Sequence, residues 1–173
     1  DVLTPLDDDE IARVVERARA SGSRAFAIAL LHGYGDPTHE ARLAAALRAA
    51  MPTAIVAASH EVLPEIREYE RTATTVAEAY ARPAVSRYLR GLEHALRADG
   101  FPSPSVMTSA GGTHAVAEAE THAASLALSG PAGGVTAAAA ICRALGIAGA
   151  LTIDIGGTSA DVGLVVDGVP LID

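Results

Sequence analysis

Apolar residues in the first third of the chain alternate between helical spacing and continuous runs of strand length. Residues 6–20 predict a helix, because apolar side chains recur three and four positions apart and acidic residues fill its first turn. The unbroken apolar run over residues 25–31 predicts a buried parallel strand. Residues 38–50 predict a second helix and residues 53–58 a second buried strand. This order predicts a βαβ-like arrangement.

The middle of the chain carries one long amphipathic pattern. Residues 72–98 predict a helix with a clear apolar stripe in its second half, and Pro83 is expected to kink that helix or divide it in two. Residues 105–108 predict a short strand, which ends before the glycine turn at residues 111–112. Residues 115–127 are rich in alanine and glutamate and fit no element.

The last part of the chain predicts a helix of small residues followed by an antiparallel hairpin. The helix covers residues 130–145, and a buried strand follows at residues 150–155. After a tight glycine turn, residues 161–166 form the returning strand and residues 169–172 a third strand.

The fold class that follows is α/β, with parallel βα units followed by a helix and an antiparallel β-hairpin. We expect residues 1–112 to form the end of a first α/β subdomain that contains the long helix. Residues 113–173 are expected to begin a second subdomain.

Composition and charge narrow the class of function. The 173 residues carry a formal net charge of −8, and arginines are spread among acidic residues, so no basic patch supports nucleic-acid binding. The apolar run over residues 25–31 is too short to span a bilayer and no signal peptide opens the chain, so no membrane partner is expected. The single cysteine, Cys142, favours the reducing cytoplasm. Both ends look cut, so we expect a piece of a longer protein.

The segment from Asp154 to Asp161 carries the strongest candidate chemistry. A strand ends in the carboxylate of Asp154, and Gly156 and Gly157 follow, which let backbone N–H groups approach an anion and adopt positive φ. Thr158 adds a hydroxyl, and Asp161 places a second carboxylate near the first. Two carboxylates beside a phosphate require a cation such as Mg²⁺. The alternative is a hairpin whose glycines only allow the turn, but the combined pattern favours a phosphate loop.

A second glycine-rich segment, residues 129–135, leads into the small-residue helix. Pro131 suits a helix N-terminus, where Ser129 and Gly130 would face the same cleft as the acidic loop. A close-packed helix without a ligand explains these residues equally well. The glycine turn at residues 109–112 is interpreted as an ordinary exit from a strand.

The remaining polar candidates are assigned structural roles. His39 and Glu40 are expected to form a cap or a surface pair at a helix start. Residues 68–71 are expected to form an interdomain ion-pair network, and Cys142 is expected to be packed rather than nucleophilic. A zinc site is not supported, because close metal-ligand spacing is lacking among His60, His114 and His122.

Four separated segments resemble, in order, the hydantoinase A/5-oxoprolinase family. They are residues 36–40 (Asp-Pro-Thr-His-Glu), 64–71 (Pro-Glu-Ile-Arg-Glu-Tyr-Glu-Arg), 109–112 (Ser-Ala-Gly-Gly) and 129–135 (Ser-Gly-Pro-Ala-Gly-Gly-Val). The resemblance covers nearly the whole chain. Three positions depart from the residues usual in the family: Glu78 stands in place of Asn, Ile155 in place of Met and Ala160 in place of Thr.

The order of helix, strand and Asp-x-Gly-Gly-Thr-x-x-Asp-Val is similar to the second nucleotide-binding half of the superfold of actin, sugar kinases and heat-shock ATPases. The resemblance implies that residues 113–173 begin a second RNase-H-like subdomain, truncated after its phosphate loop. In that superfold two such domains clamp ATP and Mg²⁺, which are the cofactors implied for the intact protein. This chain contains only one such loop, so we expect it to be inactive alone.

The family resemblance implies an enzyme that uses ATP to open a cyclic amide, such as a hydantoin or 5-oxoproline, by phosphorylating the amide oxygen. No catalytic residue is assigned. The implied ligands are Asp154, Gly156, Gly157, Thr158, Ser129 and Gly130 for the nucleotide, and Asp154 and Asp161 for the metal. The implied partners are a hydantoinase B-type subunit or domain and further copies of the protein in an oligomer.

Three alternatives stay open at this point. Related proteins carboxylate ketones, so the chain also fits a ketone carboxylase subunit. The acidic loop alone also suits a sugar-kinase-like domain, although residues 69–71 argue against it. A chaperone-like nucleotide switch of the same superfold is the third alternative.

Overall fold

The computed structural model describes residues 4–171, and the chain divides into two compact units, Asp1–Val85 and Ser86–Asp173. Ile172, where the last predicted strand ends, lies outside the described residues. The predicted division into subdomains after residue 112 concerns the intact protein and stays a prediction. No helix within the described part of the chain is both long enough and apolar enough to cross a membrane.

The first unit is built around a two-stranded parallel sheet. Its elements are α1 (Asp8–Ala20), β1 (Ala25–Ile28), α2 (Thr38–Ala50), β2 (Ile55–Ala58), α3 (Ser59–Val62) and the start of α4 (Glu68–Ala98). The pairing of β1 with β2 is parallel, with Ala25 opposite Ile55, which confirms the predicted βαβ order. The core contains apolar side chains from both strands and from the first two helices: Ile11, Val15, Ile28, Ala44, Leu47, Val56 and Ala58.

Two predictions for the first unit need correction. The strand predicted over residues 25–31 ends at Ile28, and Leu31 is exposed because the chain turns after Leu30, where the Gly33 N–H bonds to the Leu30 carbonyl. The predicted division of the long helix does not occur, since α4 runs through Pro83 without a break. A proline removes one hydrogen bond from a helix, and the many bonds on either side of Pro83 are retained.

The second unit combines a short hairpin with a three-stranded antiparallel sheet. It contains β3 (Ser105–Met107), β4 (Thr113–Ala115), α5 (Val116–Ala119), a 3-10 helix (Ala123–Leu126), α6 (Ser129–Leu145), β5 (Gly149–Ile155), β6 (Ala160–Val166) and β7 (Val169–Leu171). The sheet order is β5-β6-β7, as predicted from the two turns. The turn at residues 109–112 joins β3 to β4, which matches its interpretation as an ordinary strand exit.

Helix α6 packs on only one face of the three-stranded sheet. Cys142 is buried against Val165, so its predicted packed position is confirmed. The prediction that residues 150–155 form a buried strand is wrong for the face of β5 that points away from α6. On that face Leu151, Ile153 and Ile155 are 64%, 61% and 75% exposed. Side chains alternate between the two faces of a strand, and within the second unit only the face toward α6 is covered.

Close packing of α6 on the sheet depends on Gly163. A Cβ atom at this position would collide with the side chains of Val135 and Thr152. We expect Gly163→Ala to lower the free energy of unfolding by about 1–3 kcal/mol, because an extra methyl group overpacks the contact. The measurement is urea denaturation of the chain.

A matched glycine on α6 provides the control. A Cβ at Gly134 would meet nothing within 4 Å, so Gly134→Ala is expected to raise stability by about 0.5–1 kcal/mol through helix propensity. Equal effects of Gly163→Ala and Gly134→Ala would show that the packing of α6 on β6 is not as described.

Candidate functional site

The two candidate metal ligands lie directly opposite each other in the sheet. Asp154 on β5 pairs in register with Asp161 on β6, and the next pair on the same face is Thr152 with Gly163. Like charges directly opposite on an antiparallel sheet destabilise it by a few tenths of a kcal/mol to about 1 kcal/mol. A bound cation would remove that repulsion, so the paired carboxylates fit the predicted Mg²⁺ site.

The turn that joins the two carboxylate strands leaves its backbone uncovered. The Gly156 N–H donates to the Ser159 carbonyl at 2.9 Å and closes the turn. Gly156 and Gly157 do not use the positive φ that glycine allows, since neither lies in the left-handed region. A Cβ at Gly157 would meet nothing within 4 Å, and one at Gly156 only the Ser159 carbonyl at 3.8 Å. Neither dihedral strain nor packing within the described chain requires these glycines, whereas close approach of an anion to the backbone would.

The hydroxyl groups of the turn lie beside the carboxylates. Thr158 is exposed at the tip of the turn, and the Ser159 Oγ donates to the Asp161 Oδ2 at 3.3 Å. Both residues are exposed to solvent. This arrangement combines donors for phosphate oxygens with carboxylate ligands for a cation.

A cavity of about 960 Å³ lies between the first half of α6 and the carboxylate face of the sheet. Its lining includes Asp154, Asp161 and Thr152 from the strands and Leu128 and Pro131 from the start of the helix. The start of α6 and the acidic strands therefore border the same cavity, while a shared ligand between them stays a prediction. The cavity is large enough to hold part of a nucleotide or a small substrate.

The two residues predicted to line the cleft from α6, Ser129 and Gly130, are not among the residues that line this cavity. Ser129 and Gly130 belong to the first turn of α6, but the cavity is lined there by Pro131 and Ala132, and by Leu128 just before the helix. Successive residues in a helix are about 100° apart, so Ser129 points almost opposite to Pro131. A role for Ser129 and Gly130 as nucleotide ligands stays a prediction, as do the roles of Gly156, Gly157 and Thr158.

The first unit holds a polar cluster that sequence reasoning missed. Glu40 was expected in a cap or a surface pair, but its side chain is fully buried. Its carboxylate accepts hydrogen bonds from the Leu30 N–H at 2.7 Å, the Ser59 Oγ at 2.7 Å, the His60 N–H at 3.0 Å and the His60 Nδ1 at 2.8 Å. Leu30 follows β1 and Ser59 and His60 follow β2, so one carboxylate ties together the ends of both parallel strands.

The ionisation of Glu40 follows from these contacts. Burial opposes the charged form, but the hydrogen bonds from Ser59, Leu30 and His60 outweigh it and lower the pKa of the Glu40 carboxyl. The loop before α2 is fitted around this charge, since a Cβ at Gly33 would collide with the Glu40 carboxylate. The available sequence signal was a glutamate in the first turn of a helix between two parallel strands, within reach of both strand ends.

Arg71 also differs from its predicted role in an interdomain ion-pair network. It is buried in the first unit and donates to the carbonyls of Leu30 at 2.6 Å and Glu65 at 2.9 Å. Its guanidinium lies 5.5 Å from the centre of the Tyr34 ring, a cation–π distance. Arg71 therefore anchors the loop after β1. Its buried guanidinium donates to backbone carbonyl oxygens rather than to carboxylates.

Two histidines of the second unit, His114 and His122, lie close together. His114 Nδ1 lies 2.9 Å from the Glu118 carboxylate, and the His114 and His122 ring centres are 5.6 Å apart. Across residues 4–171, no three or more His, Cys, Asp or Glu side chains are arranged to hold a metal ion. The paired carboxylates of Asp154 and Asp161 would thus share a cation with ligands from outside their own side chains, such as water and phosphate oxygens.

The fold of this chain is similar to that of proteins with solved structures. The nucleotide-free structure of an ATP-dependent acetone carboxylase matches 96% of this chain and 24% of its own, with a TM-score of 0.80 and 31% identity. The α/β fold predicted from the sequence, part of the actin-like ATPase superfold, is confirmed by this match.

Sequence comparison identifies the family. The model for "Hydantoinase/oxoprolinase" matches residues 71–173, and the model for its N-terminal region matches residues 1–51. The alpha subunit of caprolactamase from Pseudomonas jessenii is 35% identical over 163 residues, which are 94% of this chain and 23% of that protein. The 5-oxoprolinase of Saccharomyces cerevisiae is 32% identical over 171 residues, covering 96% of this chain and 13% of that protein.

The chain belongs to the hydantoinase/oxoprolinase family, as its four sequence motifs predicted. It spans less than a quarter of the length of each of these two relatives.

Proposed function

We propose that this chain is part of a longer enzyme that uses ATP to open a cyclic amide. The observation that carries the proposal is the pair Asp154 and Asp161, set opposite each other beside a turn of bare glycine backbone. The hairpin does not need the carboxylate pair or the bare glycine backbone in order to form. Binding of a phosphorylated ligand together with its cation would account for both. The similarity to caprolactamase and 5-oxoprolinase supports a cyclic amide as the substrate class.

The chemical reason for ATP is the low reactivity of an unstrained cyclic amide. Phosphorylation of the amide oxygen turns the carbonyl carbon into an electrophile that water can attack. Asp154 and Asp161 would hold Mg²⁺, which neutralises phosphate charge during this transfer. Gly156, Gly157 and Thr158 would position phosphate oxygens, while the start of α6 closes one side of the cavity.

A ketone is the second candidate substrate, since a ketone oxygen can be phosphorylated in the same way. The match to acetone carboxylase supports this alternative. Several relatives are named as subunits, including caprolactamase subunit alpha and acetone carboxylase beta subunit. We therefore propose that the protein works with a hydantoinase B-type subunit or domain, in a cytoplasmic oligomer.

The direct test is ATP consumption by the intact protein together with its partner. Hydantoins, 5-oxoproline, caprolactam and ketones are offered in turn, and ADP release and substrate loss are measured together. Stimulation of ADP release by a cyclic amide, with ring opening, supports the proposal, and stimulation only by a ketone favours the carboxylase alternative. Steady ADP release that no substrate changes would favour a nucleotide switch and contradict both.

We expect the 173-residue chain alone not to hydrolyse ATP. It contains a single Asp-x-Gly-Gly-Thr segment, whereas the proposed cleft requires phosphate loops from two domains. The measurement is ADP release by the purified chain in the presence of Mg²⁺, with the intact protein as a positive control. Substrate-stimulated turnover by the chain would show that the second loop is not needed.

A further inference from the structure

Leu128 has a backbone conformation that leucine rarely adopts. It is the residue directly before α6, and its φ of 58° and ψ of 18° lie in the left-handed region. In this region the Cβ of an ordinary residue comes too close to the following carbonyl oxygen, so glycine and asparagine are the residues that tolerate it best. The turn into α6 therefore does not explain why a leucine stands here.

Packing within the second unit does not explain the leucine either. The Leu128 side chain is 76% exposed, and it is not part of the apolar cluster between α6 and the sheet. An exposed apolar side chain on an unfavourable backbone gives the described part of the chain no contact that offsets the strain. Strained residues of this kind concentrate where a protein holds a ligand.

The cavity of about 960 Å³ brings Leu128 and the carboxylate pair to one space. Leu128 lines it together with Asp154 and Asp161, and all of its lining residues belong to the second unit. The wall that α6 contributes carries further apolar side chains, from Pro131, Ala132 and Val135. The cavity thus has an acidic wall on the strands and an apolar wall at the start of α6.

The two walls suit the two reactants of the proposed phosphoryl transfer. Asp154 and Asp161 would hold the cation that neutralises the transferred phosphoryl group. The amide oxygen receives that group, so the cyclic amide lies directly beside it, whereas the adenine is separated from it by the other phosphates. An apolar wall does not stabilise phosphate charge, but it does stabilise methylene groups that leave water.

We propose that Leu128 contacts the ring of the cyclic amide and makes the site selective for rings rich in methylene groups. This inference rests on the proposed function. Contact between the leucine side chain and such a ring removes apolar surface of both from water, whereas a ring that carries further polar groups gains less. The left-handed backbone before α6 then serves to direct this side chain into the cavity instead of the core.

The test uses Leu128→Gly in the intact protein with its partner. Caprolactam, whose ring is mostly methylene groups, is compared with a hydantoin and 5-oxoproline, which carry more polar groups. We expect the KM for caprolactam to rise about tenfold or more and the KM for the polar rings about threefold or less. The KM for ATP and kcat should stay within about twofold of the wild type, because a uniform binding contact is removed.

Stability separates this role from a structural one. Glycine suits the left-handed backbone, so the melting temperature of Leu128→Gly is expected to be unchanged or higher. Leu128→Met keeps an apolar side chain of similar volume and is expected to keep the KM for caprolactam within about threefold of the wild type. Leu145→Ala, at an exposed leucine at the other end of α6 and outside the cavity lining, is expected to behave as the wild type.

Several results overturn the inference while the proposed function stands. They are a wild-type KM for caprolactam in Leu128→Gly, a raised KM for ATP alone, which would place the nucleotide at this wall, and an equal loss for all substrates with a lower melting temperature. A wild-type protein that opens a hydantoin or 5-oxoproline but not caprolactam also overturns it. If the wild type opens none of these rings, the proposed function itself fails and this inference with it.

Discussion

Replacing Asp154 with asparagine is expected to lower substrate-dependent ATP hydrolysis by the intact protein about 100- to 1,000-fold. The change keeps the shape of the side chain and removes the charge that would hold the cation. Asp161→Asn is expected to act in the same direction, because the two carboxylates form one cross-strand pair. The measurement is the initial rate of ADP release at saturating substrate.

The same substitution should not harm the fold, which separates a ligand role from a structural one. Asp154 faces Asp161 across the strands, so removing one charge relieves a repulsion. We expect the free energy of unfolding of Asp154→Asn to stay constant or to rise by a few tenths of a kcal/mol. A large loss of activity together with a large loss of stability would contradict this account.

Asp167→Asn provides the matched control. Asp167 lies in the second turn of the same sheet with φ of 50°, a conformation that asparagine also tolerates. It is not part of the cavity lined by Asp154 and Asp161. Activity of Asp167→Asn within about twofold of the wild type, as expected for a surface change, would tie the effect to the carboxylate pair.

Replacing Glu40 with glutamine is expected to cost about 3 kcal/mol of stability at pH 7. The carboxylate accepts four hydrogen bonds in a fully buried position, and a glutamine amide presents a donor where another donor already points. The measurement is urea denaturation, followed by far-UV circular dichroism. Glu16→Gln, at an exposed glutamate paired only with Arg19, is the control and should change stability by less than about 1 kcal/mol.

The cost of Glu40→Gln is expected to depend on pH with a definite sign. The folded-state pKa of Glu40 lies below its ordinary value of 4.5, so its ionised form is favoured by folding. The stability that ionised Glu40 contributes to the folded state is complete above the ordinary pKa and is lost as pH falls through the folded-state pKa. The stability difference between wild type and Glu40→Gln should therefore shrink as pH falls from 7 toward 3, and a difference that grew on acidification would show that Glu40 folds in its protonated form.

Local patterns were sufficient to predict most of the elements. The helix α2 begins and ends at the predicted residues, and the turns before β6 and β7 correctly predicted an antiparallel sheet. Burial was predicted less well. A continuous apolar run predicts a strand that is covered on both faces, but it does not show which segment covers each face. The exposed face of β5, formed by Leu151, Ile153 and Ile155, needs a covering layer that the described residues do not supply.

The candidate site was predicted in part for a similar reason. The pairing of Asp154 with Asp161 follows from their symmetric distance to the turn, so the sequence was enough. The position of Glu40 depends on contacts with Ser59 and His60, which are 19 and 20 residues away. Such contacts form only once two strands lie side by side, so the position of Glu40 in the first turn of α2 indicates which strand ends it can reach but not that its side chain is buried there.

The central claim is that Asp154 and Asp161 bind a nucleotide through Mg²⁺, and the most direct test is isothermal titration of ATP into the intact protein. Wild type and Asp154→Ala are compared with Mg²⁺ and with EDTA. We predict binding by the wild type that weakens at least tenfold without Mg²⁺, and affinity in Asp154→Ala that is equally weak under both conditions. Equal, Mg²⁺-dependent affinity of the two proteins for ATP would contradict the claim.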